Sequence, residues 1–143
     1  MPDPACTVLV VDDDPGLIAA IRTRLEARGI ACVTASTGAQ GIAAFRSSDV
    51  DLVITDLSMP MGDGVALADA VRAESSVPIF VLTGRTHDYR RTLRGIRDAT
   101  VLQKPIAGEA LVALVLHALG RPNGSSAFGS SRELASVLEG ESP

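Results

Sequence analysis

Five side chains carry the chemistry that stands out in this sequence: the carboxylates of Asp12, Asp13 and Asp56, the hydroxyl of Thr83 and the ammonium of Lys104. Carboxylates gathered in one place repel unless one is protonated or a cation intervenes. Their oxygens suit magnesium, which favours near-octahedral coordination at about 2.0–2.1 Å and keeps several waters. A preassembled zinc site of thiolates and imidazoles would need ligands this chain lacks, since Cys6 and Cys32 have no CxxC spacing. A carboxylate in such surroundings can act as a nucleophile and form an aspartyl phosphate. Magnesium and Lys104 would then neutralise charge on the transferring oxygens, and the Thr83 hydroxyl would donate a hydrogen bond to one of them. Positioning and charge compensation suffice for that reaction without a catalytic histidine. His87 and His117 accordingly read as a loop residue and a helix-surface residue.

These groups can cooperate only if the fold brings them to one edge. Thr7 to Val11 is a short apolar run that ends in three aspartates, the pattern of a strand buried on both faces and opening into a polar loop. Asp14-Pro15 then offers a capping acid and a preset first helical residue. Leu17, Ile18, Ile21 and Leu25 follow at helical spacing, with Arg22, Arg24, Glu26 and Arg28 outside the stripe and Gly29 as a stop. Ile30 to Ala35 reads as a second strand, and Thr37 to Phe45 as a helix that carries the penalty of Gly41. Val50 to Thr55 is a third strand leading into Asp56, and a turn-rich loop from Leu57 to Gly64 precedes a helix through Val65, Ala68 and Val71. Pro78 to Thr83 is a fourth strand, Asp88 to Ile96 a polar helix, Val101 to Gln103 part of a fifth strand and Glu109 to Leu119 an apolar helix.

Strict alternation of this kind predicts an α/β fold, a parallel sheet doubly wound by helices on both faces. Ligands of such sheets sit beyond the carboxyl ends of the strands. Asp12 and Asp13 follow the first strand, Asp56 the third and Lys104 the fifth, while Thr83 ends the fourth, so all five fall at one edge. Taken singly each has a plainer reading: a helix-capping acidic loop, a turn residue, a strand-end hydroxyl and a surface charge. Their common edge is what lifts them above it.

Composition bounds the rest. The 143 residues fit one domain, 46% are apolar against 21% charged, and three Phe, one Tyr and no Trp leave the core to Val, Leu, Ile and Ala. A net charge of −4 gives no general footprint for nucleic acid or an anionic membrane, and no recognition helix for DNA is evident. No signal-type or membrane-spanning apolar run occurs, so the expectation is cytoplasmic with no membrane partner. Residues 1–5 read as an N-terminal extension and 6–119 as the domain. Residues 120–143, rich in Gly, Ser, Asn and Pro at first, read as a flexible tail or linker; Ser131 to Leu138 has the spacing for one short helix, with Leu134, Val137 and Leu138 on a face, marginal alone. Arg85, Arg90, Arg91, Arg94 and Arg97 make a basic stretch, read as a solvated face or a protein-binding one. Any apolar area that the helix from Glu109 leaves exposed would support a homodimer.

Four segments taken in order resemble the successive signatures of bacterial two-component response-regulator receiver domains: Val8-Leu9-Val10-Val11-Asp12-Asp13-Asp14-Pro15, the loop Asp56 to Gly64, Pro78 to Gly84, and Lys104-Pro105. The resemblance covers about residues 6 to 119. It implies the flavodoxin-like receiver fold with strand order 2-1-3-4-5, Asp56 as phosphoacceptor and Thr83 and Lys104 as the phosphate-stabilising pair. It also implies magnesium held by Asp13, by Asp12 mostly through water, by Asp56 and by the backbone carbonyl of Ser58, and a cis peptide before the structural Pro105. The donor would be a histidine kinase or histidine phosphotransfer protein. Such a phosphorelay component catalyses its own phosphorylation and dephosphorylation without being a conventional turnover enzyme.

Receivers usually place Phe or Tyr three residues before the lysine, where its rotamer changes with phosphorylation; Val101 stands there. Gly84 follows Thr83 where alanine is common, and Arg97-Asp98 stand where Gly-Ala is frequent. The wording Leu102-Gln103-Lys104-Pro105 is similar to receivers associated with hybrid sensor kinases. Two other readings stay open: a receiver-like interaction module with weak or absent phosphorylation-dependent switching, and a divalent-metal hydrolase.

Overall fold

A computed structural model describes residues 6–57, 63–84 and 98–120. Within them run β1 (Thr7–Val11), α1 (Pro15–Glu26), β2 (Ala31–Ala35), α2 (Gly38–Ser47), β3 (Leu52–Asp56), α3 (Asp63–Glu74), β4 (Ile79–Thr83), β5 (Ala99–Gln103) and α4 (Gly108–Ala118). The helix expected over Asp88 to Ile96, the basic stretch from Arg85 to Arg97, and the tail beyond residue 120 lie outside the described residues.

All strand pairs are parallel, and the sheet has the order β2-β1-β3-β4-β5, the flavodoxin-like topology. β3 and β4 are buried at every position, which their nearly unbroken apolar sequences require. Alternation along each strand sorts the core into two layers. Val8, Val10, Leu52, Ile54, Phe80, Leu82 and Leu102 pack with Ile21 and Leu25 of α1 and with Leu111, Val112 and Val115 of α4. The intervening Leu9, Val11, Val53, Ile79 and Val81 pack with Leu67, Ala68 and Val71 of α3 and with Ile42 and Phe45 of α2.

Helix starts follow the local chemistry. The Asp14 carboxylate accepts from the backbone N–H of Gly16 at 2.9 Å and of Leu17 at 3.3 Å, with Pro15 in the first turn. Thr37 caps α2 by accepting from the Gln40 N–H at 3.1 Å, and the Gln40 side chain reaches back to the Ser36 N–H at 3.1 Å. Gly41 costs helix propensity but permits close packing: a Cβ there would stand 2.9 Å from Val11 Cγ2 and 3.2 Å from Leu67 Cδ2. α2 therefore lies tight on β1 and α3.

Several boundaries differ from the sequence reading by one or two residues. Ile30 is buried in the turn before β2 rather than in the strand. Val50 precedes β3, and Asp56 is the last strand residue because its backbone still pairs opposite Leu82. β5 begins earlier, at Ala99, and α4 is shifted one residue forward. Cys6 and Cys32 are free and half-buried, and burial, with the charge of Glu26 adding to it, pushes the Cys32 thiol up to about 11. That fits its reading as a small hydrophobe.

Surface ion pairs clamp neighbouring helices: Arg24 to Glu109 at 2.7 Å between α1 and α4, and Arg46 to Glu74 at 2.6 Å between α2 and α3. Exposed pairs are worth about 0–1 kcal/mol, so the apolar layers dominate stability. Leu114→Ala, at a site 1% exposed, is expected to lower unfolding free energy by about 2–5 kcal/mol. Glu109→Ala should change it by less than about 1 kcal/mol. Urea midpoints at constant m-value check both, and equal effects would contradict this division.

Candidate functional site

Sheet register assembles the site. Val11 lies opposite Thr55, Asp56 opposite Leu82, and Thr83 opposite Gln103. Asp12, the residue after β1, thus comes level with Asp56, and Lys104 leaves β5 one step beyond Thr83. Backbone bonds hold these ends: Asp12 N–H to the Ala35 carbonyl at 3.1 Å, Leu57 N–H to Leu82 at 2.9 Å and Lys104 N–H to Thr83 at 2.8 Å. By alternation Asp12, Asp56 and Lys104 continue the rows that face α1 and α4. Thr83 and Val101 continue the opposite rows, toward α2 and α3.

Asp12, Asp56 and Thr83 are almost wholly buried, at 2%, 4% and 1% exposure; Asp13 stands at the open side. Oxygens of Asp12, Asp13 and Asp56 all lie within 4.8 Å of one another. Lys104 lays its stem along the pocket and puts Nζ 3.2 Å from Asp12 Oδ2 and 3.3 Å from Asp56 Oδ1. The other Asp12 oxygen accepts the Asp14 N–H at 2.9 Å. Among the described residues, no buried side-chain polar atom lacks a partner.

The electrostatics show which effect wins. Burial pushes the Asp12 carboxyl above its ordinary value, the Asp56 charge adds to this, and the Asp14 N–H and Lys104 only partly oppose it. Burial alone would lower Lys104, but the carboxylates of Asp56 and Asp12 outweigh it and hold the ammonium above its ordinary value. One cation among three carboxylates leaves the pocket with excess negative charge. A small hard cation meets that excess: the oxygen set is right, and its spread is comparable with the about 4.2 Å that separates opposite ligands in a magnesium octahedron. Asp12, Asp13 and Asp56 are therefore able to hold a divalent ion, while Ser58, read as a carbonyl ligand, lies outside the described residues, as do Met59, Pro60, Arg85 and His87.

Gly64 was legible only as a turn former. Its role is steric: a Cβ on it would run into the Asp56 carbonyl oxygen and stand 2.9 Å from Leu57 Cα, so α3 can begin against the Asp56–Leu57 backbone only with glycine there. The residue type hinted at a turn, and the neighbour it must clear was visible only in the fold. The Lys104–Pro105 peptide is cis. Val101 is half-buried and packs in the layer shared with α2 and α3, diagonally beside Thr83. His117 is half-buried at the end of α4, away from the pocket.

An open, doubly wound parallel sheet with an acidic, lysine-bearing pocket at its carboxyl edge defines the class of flavodoxin-like signalling domains. The family model described as the response regulator receiver domain matches residues 8–116. This chain belongs to that family: it is a receiver domain of the bacterial two-component type. It is 37% identical over 116 residues to the transcriptional regulatory protein GlrR of Escherichia coli, covering 78% of this chain and 26% of that protein. With the transcriptional regulatory protein PrrA of Mycobacterium tuberculosis identity is 35% over 130 residues, covering 89% and 55%. The chain thus spans between a quarter and about half the length of these curated relatives. Among solved structures, the chemotaxis response regulator CheY4 of Vibrio cholerae superposes with a TM-score of 0.72 at 28% identity, covering 80% of this chain and 99% of that one. A response regulator receiver protein from Sinorhizobium medicae gives 0.73 at 27%, covering 81% and 95%.

An acid whose pKa is raised by folding binds its proton more tightly when folded, so its ionisation favours unfolding. For Asp12 this penalty is absent below the ordinary carboxylate value of 3.8, grows as pH rises through the folded value, and is complete above it. Asp12→Asn should therefore raise the melting temperature of the metal-free protein by a few degrees at pH 7 and lose that advantage in acid. Magnesium should stabilise the parent chain more than the variant. A lower melting temperature for metal-free Asp12→Asn at pH 7 would reverse the assignment of burial and repulsion as the dominant effects.

Proposed function

We propose that Asp56 is the phosphoacceptor of this receiver and that Asp12, Asp13, Thr83 and Lys104 serve its phosphorylation. The observation that carries this is the Asp56 carboxylate itself: nearly buried at the carboxyl edge, 3.3 Å from the Lys104 ammonium and grouped with two further carboxylates. An oxygen of Asp56 attacks the phosphorus of a phosphohistidine on a histidine kinase or histidine phosphotransfer protein. The new O–P bond forms as the N–P bond breaks, and the imidazole keeps the electron pair and later takes a proton. Lys104 stays protonated, as its raised pKa favours, and faces the negative oxygens of the transferred group. Thr83, at the end of the adjacent strand, donates its hydroxyl proton to one of them. Asp12, Asp13 and Asp56, with the Ser58 carbonyl, would hold magnesium, which would supply charge neutralisation.

Water attack on phosphorus reverses the modification, so the protein completes one phosphorylation per chain rather than continuous turnover. Residues 6–119 form the working unit and 120–143 a tail or linker. Phosphorylation changes the affinity of an output protein partner, with no direct contact to nucleic acid. A cytoplasmic setting accords with the chemistry of the donor. Among the described residues no helix is long and apolar enough to cross a membrane.

Val101 favours a second reading of the output side. A valine beside Thr83 lacks the ring by which a receiver of this family ordinarily relays the state of the hydroxyl, so the chain could act as an interaction module whose surface responds weakly to phosphate. The two readings share the chemistry at Asp56 and part at its consequence.

Intact-protein mass measurement after exposure to acetyl phosphate tests the chemistry. The expected result is a gain of one phosphoryl group that requires magnesium and is absent in Asp56→Ala, and a rate about 10²-fold lower in Lys104→Ala. The same gain in Asp56→Ala would refute the assignment.

A further inference from the structure

Thr55 places a hydroxyl in an otherwise apolar layer. Its backbone pairs opposite Val11 of β1 and Val81 of β4, and alternation puts its side chain beside that of Val53 on the α2 and α3 face, where the residue is wholly buried. Valine would fill the same space. A hydroxyl taken out of water is costly unless it is hydrogen-bonded, and Thr55 Oγ1 meets this need by donating to the Asp56 carbonyl at 3.0 Å.

That carbonyl stands where regular pairing stops. β1 pairs with β3 only as far as Val11 opposite Thr55, so the peptide group joining Asp56 to Leu57 lies beyond the last step of that ladder. Three contacts converge on this one planar unit. Its N–H, on Leu57, donates to the Leu82 carbonyl at 2.9 Å; its oxygen accepts from Thr55; and Gly64 lies so near that a Cβ there would run into the same oxygen. Held by the N–H alone, the plane could rock about that hydrogen bond. A second bond on the oxygen, which a trans peptide points the opposite way, removes this freedom.

We propose that Thr55 is a positioning residue for Asp56: its hydroxyl fixes the Asp56–Leu57 peptide and thereby holds the carboxylate where a cation and an incoming phosphoryl group need it. The inference rests on the reading of Asp56 as phosphoacceptor. The Thr55 side chain lies on the opposite face of the sheet from that carboxylate, so it acts through the backbone and touches no reacting group. Small displacements suffice to matter, because a shift of about 1 Å in a reacting group costs on the order of 10²-fold in rate.

Two substitutions in the full chain separate position from packing. Thr55→Val keeps the volume and removes the donor, whereas Thr55→Ser keeps the donor and removes a methyl. The expected result for Thr55→Val is phosphorylation by acetyl phosphate about 10-fold slower than in the parent. It should also need severalfold more magnesium for half-maximal thermal stabilisation, and the Asp56 carbonyl ¹³C resonance should move upfield as its hydrogen bond is lost. Thr55→Ser should keep the parent rate and magnesium requirement yet melt at a lower temperature, since it loses only packing. The reverse order, with Thr55→Ser the slower variant, would overturn the proposal. So would a Thr55→Val chain that matches the parent in rate and magnesium requirement. A parent chain that takes no phosphoryl group on Asp56 overturns the underlying reading, and this inference with it.

Discussion

Mutual repulsion among Asp12, Asp13 and Asp56 is the constraint around which the carboxyl edge is arranged. Their oxygens lie within 4.8 Å, two of the three residues are almost wholly buried, and water is poorly placed to screen them. Lys104 offsets part of this and is itself held more firmly protonated, but a single ammonium cannot balance three carboxylates. Burial is the main cause that raises the Asp12 carboxyl above its ordinary value, and the Asp56 charge adds to it. A pocket in that condition is stabilised by added positive charge. Stability given up in the empty pocket is thus tied to its affinity for what it binds.

Such a cluster persists only on a scaffold that cannot relax away from it. The flush register of β1, β3, β4 and β5 supplies that rigidity, because each functional residue is at or next to a strand end whose backbone is hydrogen-bonded to its neighbour. Two apolar layers then fix the sheet from both sides. Gly41 and Gly64 serve the same end at close quarters: one lets α2 settle on β1, the other lets α3 start against Asp56. Neither glycine touches a ligand by its side chain, yet either position filled by a Cβ would press on a neighbouring element.

Most of this was legible in the sequence for definite reasons. Buried parallel strands announce themselves as apolar runs such as Ile79 to Leu82, and the runs of β1, β3 and β4 stop at Asp12, Asp56 and Thr83, which stand at the site edge. The cap at Asp14 was legible because an acid before proline has few other uses. Strand ends were less so: Asp56 looked like the first loop residue because sequence shows its polarity and hides the backbone pairing opposite Leu82. The space of about 370 Å³ between α1 and α4, lined in part by Leu17, Ile21, Leu111 and Val112, was invisible, since all four read as ordinary core positions. Nothing in a one-dimensional pattern tells a fully packed helix pair from one with space left between them.

Strand alternation finally separates two tasks that a single motif tends to merge. Asp12, Asp56 and Lys104 continue the rows facing α1 and α4, whereas Thr83 and Val101 continue the rows on the other face. Charge is therefore gathered on one side of the sheet, while the hydroxyl at the same edge belongs to the other. In a protein with a ring at the β5 position, motion of that ring would carry the change outward along the Thr83 row. Val101 has no such lever: a β-branched side chain has few rotamers, and here it is already half-buried in the layer of Val81 and Ile79. If Asp56 is the phosphoacceptor proposed above, the change reaches the surface by displacement of backbone at the strand ends or along the face of α1 and α4, on whose rows Lys104 lies.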